Sequence, residues 1–312
     1  MIANNHIFLS KIAGKLLGDG SITVQKGRKP RFQFTHCIKD KGWSIHSYIE
    51  LKGLIPLSEP RYRKVIDPRT KAGYTEGYYV LSKTSPIITQ LESIWYHNRI
   101  KVVPMDFLEK YFNNLTLAWW FQDDGHLKLD KHTMKPRKII LSTDSFTKQE
   151  NNQLINLLKR KYTITFTLDK QNRLIIYDAT QILYFLHLVQ PHIHHSMYRK
   201  TIPLLPLHDK VPIKAKRTTI YLPEEIKITK PTQELNQHLV LLSKVLRTYK
   251  KGDFYNYLYP LYIKELKNIN RTNSYQILIQ PRNLLLLNQL KSYTGFTYSE
   301  LATLCFLIAY RK

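Results

Sequence analysis

Two aspartates, Asp19 and Asp124, each precede a glycine at the end of a nine-residue segment, and the two segments align without gaps. The segments are IAGKLLGDG at residues 12–20 and LAWWFQDDG at 117–125. A carboxylate is a hard oxygen ligand for Mg²⁺, and bound Mg²⁺ activates water and neutralises charge during phosphodiester hydrolysis. A single Asp-Gly after a helix is more often a helix-ending turn, but its recurrence in both segments favours a metal ligand.

The chain that follows each segment repeats the same order of elements. A strand and then a helix are predicted at 31–36 and 41–53, 77–82 and 85–96, 138–143 and 147–161, and 173–178 and 180–188. Each half therefore reads as αββαββα, a four-stranded sheet with helices on one face. This predicts an α+β protein with two pseudo-symmetric halves, residues 1–110 and 111–206.

Both halves end with a lysine followed three residues later by a proline, KVVP at 101–104 and KTIP at 200–203. A lone lysine at a helix end is normally solvated, but the recurrence favours a functional role for Lys101 and Lys200. A compact ammonium can polarise water or stabilise negative charge on phosphorus.

Composition indicates a folded protein with a polyanionic partner. Of its 312 residues, 43% are hydrophobic and 12% aromatic, which is ample for buried cores. The formal net charge of +25 favours nucleic acid as the partner, although charge alone also fits a generally basic protein.

Cys37 and Cys305 lack the spacing of a disulfide framework or a zinc site, so we expect a reducing intracellular compartment, either bacterial cytoplasm or an organelle. No stretch approaches the roughly 18 apolar residues of a membrane span, and the first five residues lack a charged segment followed by an apolar core, so we expect neither a membrane nor a secretory protein.

The sequence changes character after Pro206, and we interpret residues 207–312 as a mainly helical extension. A helical region is predicted around 233–248, with a break at 250–252. The last stretch predicts a strand from Tyr275, a helix at 283–292, a tight turn, and a helix at 299–310. That order resembles a ribbon-helix-helix DNA-binding unit, in which a paired strand enters the major groove. A helical cap on the core explains it equally well.

The two aligned segments resemble the LAGLIDADG motif of the homing endonucleases, with one copy per half as in single-chain members. The runs LTLAWWFQDDG at 115–125, LSTDSFT at 141–147 and MYRK at 197–200 are similar to the branch that includes a yeast mitochondrial intron enzyme with an 18-base-pair site. The resemblance covers roughly residues 8–205.

The resemblance implies the site chemistry. Asp19 and Asp124 would each bind a divalent metal, with help from the backbone carbonyls of Gly18 and Asp123, and Lys101 and Lys200 would lie near the scissile phosphates. A monomer would then make an Mg²⁺-dependent double-strand break with short 3′ overhangs in a long, asymmetric double-stranded DNA target.

The two motif helices are not equivalent. The first carries small residues where helices approach closely, whereas the second has Trp119 and Trp120, so we expect an unequal interface and unequal cutting of the two strands. Asp123 stands where the family name has Ala, and its side chain is expected to be an exposed second carboxylate. We expect His126, His192, His194 and His195 at the surface or contacting the DNA backbone.

DNA recognition is expected from the strands, because alternate side chains of a twisted sheet can face the major groove. Arg and Gln suit bases, whereas Lys, Ser and Thr suit phosphates, and a merely solvated face is the alternative for each residue. The candidates are Thr23, Gln25, Arg28, Arg31, Gln33, Thr35, Arg61, Arg63 and Lys71, and in the second half Lys128, Lys138, Ser142, Lys170 and Arg173.

Two other functions fit the same pattern. One is an intron RNA maturase of this fold, with intron RNA as its partner. The other is a non-cleaving DNA-binding regulator that acts through the extension. Because both aspartate positions are filled, the sequence favours cleavage.

Overall fold

The computed structural model describes residues 5–202, 214–269 and 271–310. Pro203, which ends the second Lys-x-x-Pro pattern, and the predicted boundary at 206/207 lie outside these residues. The chain forms two compact units. The described part of the first contains residues 5–160, 165–176 and 188–202, and the second contains 161–164, 177–187 and the described residues from 214 onward.

The first half has the predicted αββαββα order. Its elements are α1 (His6–Leu17), β1 (Ser21–Thr23), β2 (Arg31–Cys37), α2 (Lys41–Leu51), β3 (Arg61–Ile66), β4 (Tyr74–Leu81), α3 (Pro86–Trp95), a short hairpin of β5 (Tyr96–His97) and β6 (Ile100–Lys101), and α4 (Met105–Tyr111). The four long strands form an antiparallel sheet in the order β1-β2-β4-β3.

The second half repeats this topology. Its elements are α5 (Asn114–Asp124), β7 (Gly125–Leu129), β8 (Pro136–Leu141), α6 (Lys148–Tyr162), β9 (Thr167–Leu168), β10 (Leu174–Ile176) and α7 (Ala179–Val189), followed by 3₁₀ turns at Gln190–His192 and His195–Lys200. The sheet order β7-β8-β10-β9 matches that of the first half, strand for strand. The predicted α+β fold is confirmed.

Helices α1 and α5 begin at well-defined caps. The Asn5 side chain accepts the backbone N–H of Phe8 at α1, and Asn113 forms a capping box with Thr116 at α5. Asn caps satisfy backbone donors that would otherwise lack partners in the first helical turn. Most of both helices is buried, and they pack directly on each other.

The second unit contains the extension. Its elements are β11 (Lys216–Pro223), α8 (Pro231–Leu239), α9 (Leu242–Lys250), a π-helical turn (Phe254–Leu258), α10 (Tyr259–Lys267), β12 (Thr272–Ile279), α11 (Pro281–Thr294) and α12 (Tyr298–Tyr310). The predicted final strand, helix, turn and helix are present. The helical region predicted around 233–248 is present as two helices, because the N–H of Leu241 bonds the closer carbonyl of His238 and a new helix starts at Leu242.

Helix α7 packs with the extension inside this unit. The Tyr184 ring lies 4.3 Å from that of Tyr259, centroid to centroid, and Asp178 accepts a hydrogen bond from Lys267 at 2.8 Å. Among the described residues, no helix is long and apolar enough to cross a membrane.

Candidate metal centre and nucleic-acid interface

The C-terminal ends of α1 and α5 lie side by side, and two glycines of α1 permit this approach. A Cβ atom added at Gly14 would lie 2.5 Å from Cβ of Trp119, and one at Gly18 would lie 2.5 Å from Cβ of Asp123. Such distances are too short for real carbon contacts, so a larger residue on α1 would push the helices apart. The glycines therefore compensate for the tryptophan on α5, and the ends of the two motifs meet where Gly18 lies against Asp123.

Asp123 is the most tightly bound carboxylate of this site, and the expectation that its side chain is exposed was wrong. The side chain is fully buried. Its Oδ1 accepts hydrogen bonds from Lys15 Nζ and Trp43 Nε1, both at 2.7 Å, and its Oδ2 accepts the backbone N–H of Asp19 at 3.2 Å. His36 Nε2 lies 3.3 Å from Oδ1. Although burial raises the pKa of Asp123, the charge of the Lys15 ammonium outweighs it and holds this pKa well below its usual value.

The same lysine fixes the state of His36. Lys15 Nζ lies 2.7 Å from His36 Nε2. Burial, reinforced by the Lys15 charge, lowers the pKa of His36 to about 4, so the ring is neutral near pH 7 and Nε2 accepts from the ammonium. Lys15, His36, Trp43 and Asp123 thus connect α1, β2, α2 and α5 through one buried polar cluster.

Asp19 and Asp124 are in a different electrostatic state. Burial and the neighbouring Asp123 and Asp124 charges raise the pKa of Asp19 well above its usual value, although 33% of its side chain is exposed. Burial and the Asp123 charge raise the pKa of Asp124 to about 7. A divalent cation can offset the burial and the neighbouring negative charge that raise the pKa values of these two carboxyl groups.

Asp19, His36 and Asp123 form a second possible ligand group, because their ligand atoms lie within 4.8 Å of one another. However, the Lys15 ammonium already neutralises Asp123 and contacts His36. A cation bound to this group would therefore share Asp123 and His36 with the Lys15 ammonium.

Each predicted lysine lies at the end of one motif. Lys101 Nζ donates to the Gly20 carbonyl at 2.9 Å. Lys200 Nζ donates to the last carbonyls of α5, those of Phe121 at 2.9 Å, Gln122 at 2.5 Å and Asp123 at 3.2 Å. Burial lowers the pKa of both lysines to about 8 against the opposing effect of the nearby aspartates. Neither is a freely solvated lysine, and Lys200 also caps a helix end.

The first sheet collects six of its nine DNA-contact candidates on one face. Residues that stand directly opposite in an antiparallel pair share a face, and the register pairs Thr23 with Arg31, and both Thr35 and Arg61 with Tyr79. Gln33 and Arg63 lie on that face by alternation, whereas Gln25, Arg28 and Lys71 lie in exposed loops.

The second sheet presents fewer basic side chains. Lys128 and Lys138 stand opposite each other, with His126 two residues before Lys128 on the same face. Ser142 follows β8, and Lys170 is exposed in a turn. The Arg173 guanidinium is held by Asp169 at 2.7 Å, so it is less available to DNA than expected.

Sequence reasoning missed several residues of these sites. Tyr79 donates to Gln33 at 2.9 Å, and the Arg63 guanidinium lies 5.6 Å from its ring centre. Lys15 was also missed, although a lysine inside an otherwise apolar helix should signal a buried counter-ion. His192 and His195 are exposed, whereas His194 is half-buried and stacks on His46.

Comparison with known proteins agrees with this geometry. The model of the LAGLIDADG DNA endonuclease family matches residues 9–185, more than half of the chain. The protein therefore belongs to this family, with its double-motif architecture.

Its relatives include proteins of archaea and yeasts. An uncharacterised protein of Methanocaldococcus jannaschii is 29% identical over 206 residues, which are 64% of this chain and 73% of that protein. The cytochrome b mRNA maturase bI2 of Saccharomyces cerevisiae is 29% identical over 211 residues, 63% of this chain but only 47% of the maturase. In the homing endonuclease I-WcaI bound to its DNA recognition sequence, 88% of the chain superposes on 64% of this one, with a TM-score of 0.57 and 22% identity, which shows the shared fold.

Proposed function

We propose that this protein is a divalent-metal-dependent endonuclease that cuts both strands of a specific DNA site. The observation that carries the proposal is the pair Asp19 and Asp124. They lie at the ends of two packed helices, with pKa values raised by burial and by the neighbouring carboxylates. A bound cation would stabilise the ionised form of both carboxyl groups against this burial and negative charge, whereas a purely structural role gives no reason for placing them there.

Asp19 and Asp124 would hold the metal, assisted by the carbonyls of Gly18 and Asp123. When bound, Mg²⁺ supplies a Lewis acid that lowers the pKa of water and neutralises charge on the phosphate. Lys101 and Lys200 lie at the two motif ends, where an ammonium can stabilise charge that develops on phosphorus. The Asp123 carbonyl already accepts from Lys200, so metal and lysine would share that oxygen.

The target would be a long, asymmetric duplex, because the two sheets carry different side chains. Arg31, Arg61 and Arg63 of the first sheet suit guanine, whereas the lysines of the second suit phosphates. I-WcaI, whose fold this chain shares, was solved on its DNA recognition sequence. We propose a monomer that leaves short 3′ overhangs, as in the family branch that the sequence resembles.

The test is cleavage of a library of candidate insertion sites, in intron-less or insert-less form, by the purified protein with Mg²⁺. Wild type should linearise its target, while Asp19→Asn and Asp124→Asn should lose cleavage but still bind DNA. Asp106→Asn, an exposed aspartate in α4, is the matched control. Equal cleavage by wild type and the Asp19→Asn/Asp124→Asn double variant would refute the assignment.

A second candidate is an intron RNA maturase, favoured by the similarity to the yeast maturase bI2. The two activities are compatible in one chain. Binding and splicing of the host intron transcript, measured with the double variant, would separate RNA function from DNA cleavage.

A further inference from the structure

The second unit contains a strand-helix-helix sequence twice. β11, α8 and α9 form the first copy, and β12, α11 and α12 form the second, with α10 between them. The two strands pair antiparallel over eight residues, from Lys216 opposite Ile279 to Pro223 opposite Thr272. The first helix of each copy packs on the second helix of the other, which is the arrangement expected for a two-fold pair built in one chain.

One face of this ribbon forms the core of the unit. Ile220 and Leu222 of β11 and Ile277 and Ile279 of β12 are buried beneath the helices. Asn236 of α8 ties the copies together, since its Nδ2 donates to the Leu278 carbonyl at 2.9 Å. At α12, Ser299 accepts the N–H of Tyr221 at 3.0 Å. The ribbon is therefore rigidly held from one side.

The other face of the ribbon is open to solvent and rich in hydrogen-bonding groups. Its outward pairs are Arg217 with Leu278, Thr219 with Gln276, and Tyr221 with Ser274, and all six side chains are exposed. An arginine suits guanine, a glutamine suits adenine, and an apolar side chain contacts the thymine methyl group.

Charge favours a nucleic acid as the occupant of this face. Residues 214–310 contain fourteen Lys and Arg against six Asp and Glu. Lys216 and Arg271 lie exposed at opposite ends of the ribbon. The major groove of B-DNA admits a two-stranded ribbon, whereas the major groove of A-form RNA is too deep and narrow for side chains to read.

We propose that the outward face of the β11–β12 ribbon is a second DNA-reading site, which binds the major groove of duplex DNA outside the stretch contacted by the two LAGLIDADG sheets. The site rests on contacts within the extension and does not require cleavage to occur. It therefore adds recognition to the proposed endonuclease and would survive if the cleavage assignment failed.

The test uses the full chain carrying Asp19→Asn and Asp124→Asn, with tight-binding duplexes first selected from a random-sequence pool. Its footprint and affinity are compared with those of a ribbon-face variant, Arg217→Ala/Thr219→Ala/Gln276→Ala. The control variant is Arg247→Ala/Thr232→Ala/Gln237→Ala, which removes the same residue types from α8 and α9. Thermal unfolding of both variants checks that the fold is intact.

We expect the ribbon-face variant to lose protection on one flank of the footprint and at least about tenfold in affinity, since three base contacts disappear. The rest of the footprint should persist. The proposal is overturned if the ribbon-face variant matches the control in footprint and affinity, or if it loses binding only to an RNA duplex. If the ribbon protects its flank of the footprint but the wild-type chain does not cleave DNA, the proposed endonuclease activity is refuted and the proposed ribbon site is not.

Discussion

Lys15 Nζ lies 2.7 Å from Asp123 Oδ1, and both side chains are fully buried. The pair joins the two motif helices a few residues from the aspartates that would bind metal. The Lys15 ammonium is the counter-ion of Asp123, and Trp43 Nε1 and the backbone N–H of Asp19 donate to the same carboxylate. Asp123 therefore organises the site, whereas Asp19 and Asp124 remain available for a cation.

Replacing Lys15 should be strongly destabilising. Lys15→Met leaves the Asp123 carboxylate buried without its counter-ion, and breaking such a pair costs about 3–5 kcal/mol. Chemical denaturation would measure the free energy of unfolding. Lys11 lies on the same helix as Lys15 but forms a partly exposed ion pair with Glu50 of α2, so Lys11→Met should cost less than about 1 kcal/mol. Similar losses for the two variants would contradict a special role for the buried pair.

The close approach of the motif helices predicts sensitivity to one added methyl group. Gly14→Ala and Gly18→Ala should each destabilise the protein by about 1–3 kcal/mol, because the new Cβ would overlap α5. Gly53→Ala is the control, since a Cβ atom added there would meet no described atom within 4 Å. Thermal unfolding would compare the stabilities of the three variants. A Gly18→Ala variant as stable as Gly53→Ala would argue against the observed interface.

Metal binding is testable without cleavage. Mg²⁺ at about 100 times its Kd should stabilise the wild-type fold by about 2.7 kcal/mol. Asp19→Asn/Asp124→Asn should be more stable than wild type in EDTA, because the carboxylate repulsion is gone, and should gain little from Mg²⁺. Thermal shift with and without Mg²⁺ measures both effects. An unchanged Mg²⁺ shift in the double variant would place the metal elsewhere.

The two lysines should differ in their effects. Lys200→Met removes a donor to three carbonyls of α5, so both stability and cleavage should fall. Lys101→Met removes a single carbonyl contact and should lower cleavage by about 100-fold with little loss of stability. A plasmid time course would show nicked product accumulating if each lysine serves one strand. Direct conversion to linear DNA at a uniformly lower rate would contradict this division.

DNA affinity should fall steeply with salt. The slope of log affinity against log salt is about −0.9 per phosphate contact. Because the lysines of the second sheet suit phosphates, Lys128→Ala/Lys138→Ala should make the slope shallower by about 2. Lys52→Ala/Lys110→Ala removes exposed charge from the end of α2 and from α4 instead, and should leave the slope unchanged. A shallow wild-type slope would count against the sheet interface.

The repeated αββαββα order was predictable because strand and helix periodicity are local and because each half supported the interpretation of the other. Asp19, Asp124, Lys101 and Lys200 were found through the same recurrence. The Lys15–Asp123 pair was not, because its partners are 108 residues apart in sequence and the local pattern placed Asp123 at the surface.

In the extension, the separate elements were predictable from the sequence but their pairing was not. Its last strand and helices were predicted, but the pairing of β12 with β11 depends on contacts between residues that are 49 to 63 positions apart in the sequence. The interruption between α8 and α9 also escaped prediction, because neither Gly nor Pro marks residues 240–241.

Because β11 and β12 belong to one chain and pair with each other, the two strands of the ribbon can have different sequences. In a ribbon formed by two identical chains, every mutation appears in both strands, so such a ribbon recognises two-fold symmetric DNA sequences. Here Arg217 and Gln276 are encoded separately, and each can be exchanged without affecting the other. Under the proposed DNA-reading role, single substitutions could therefore change the preferred base at one position without changing the preference at the others, and the preferred sequence need not be symmetric.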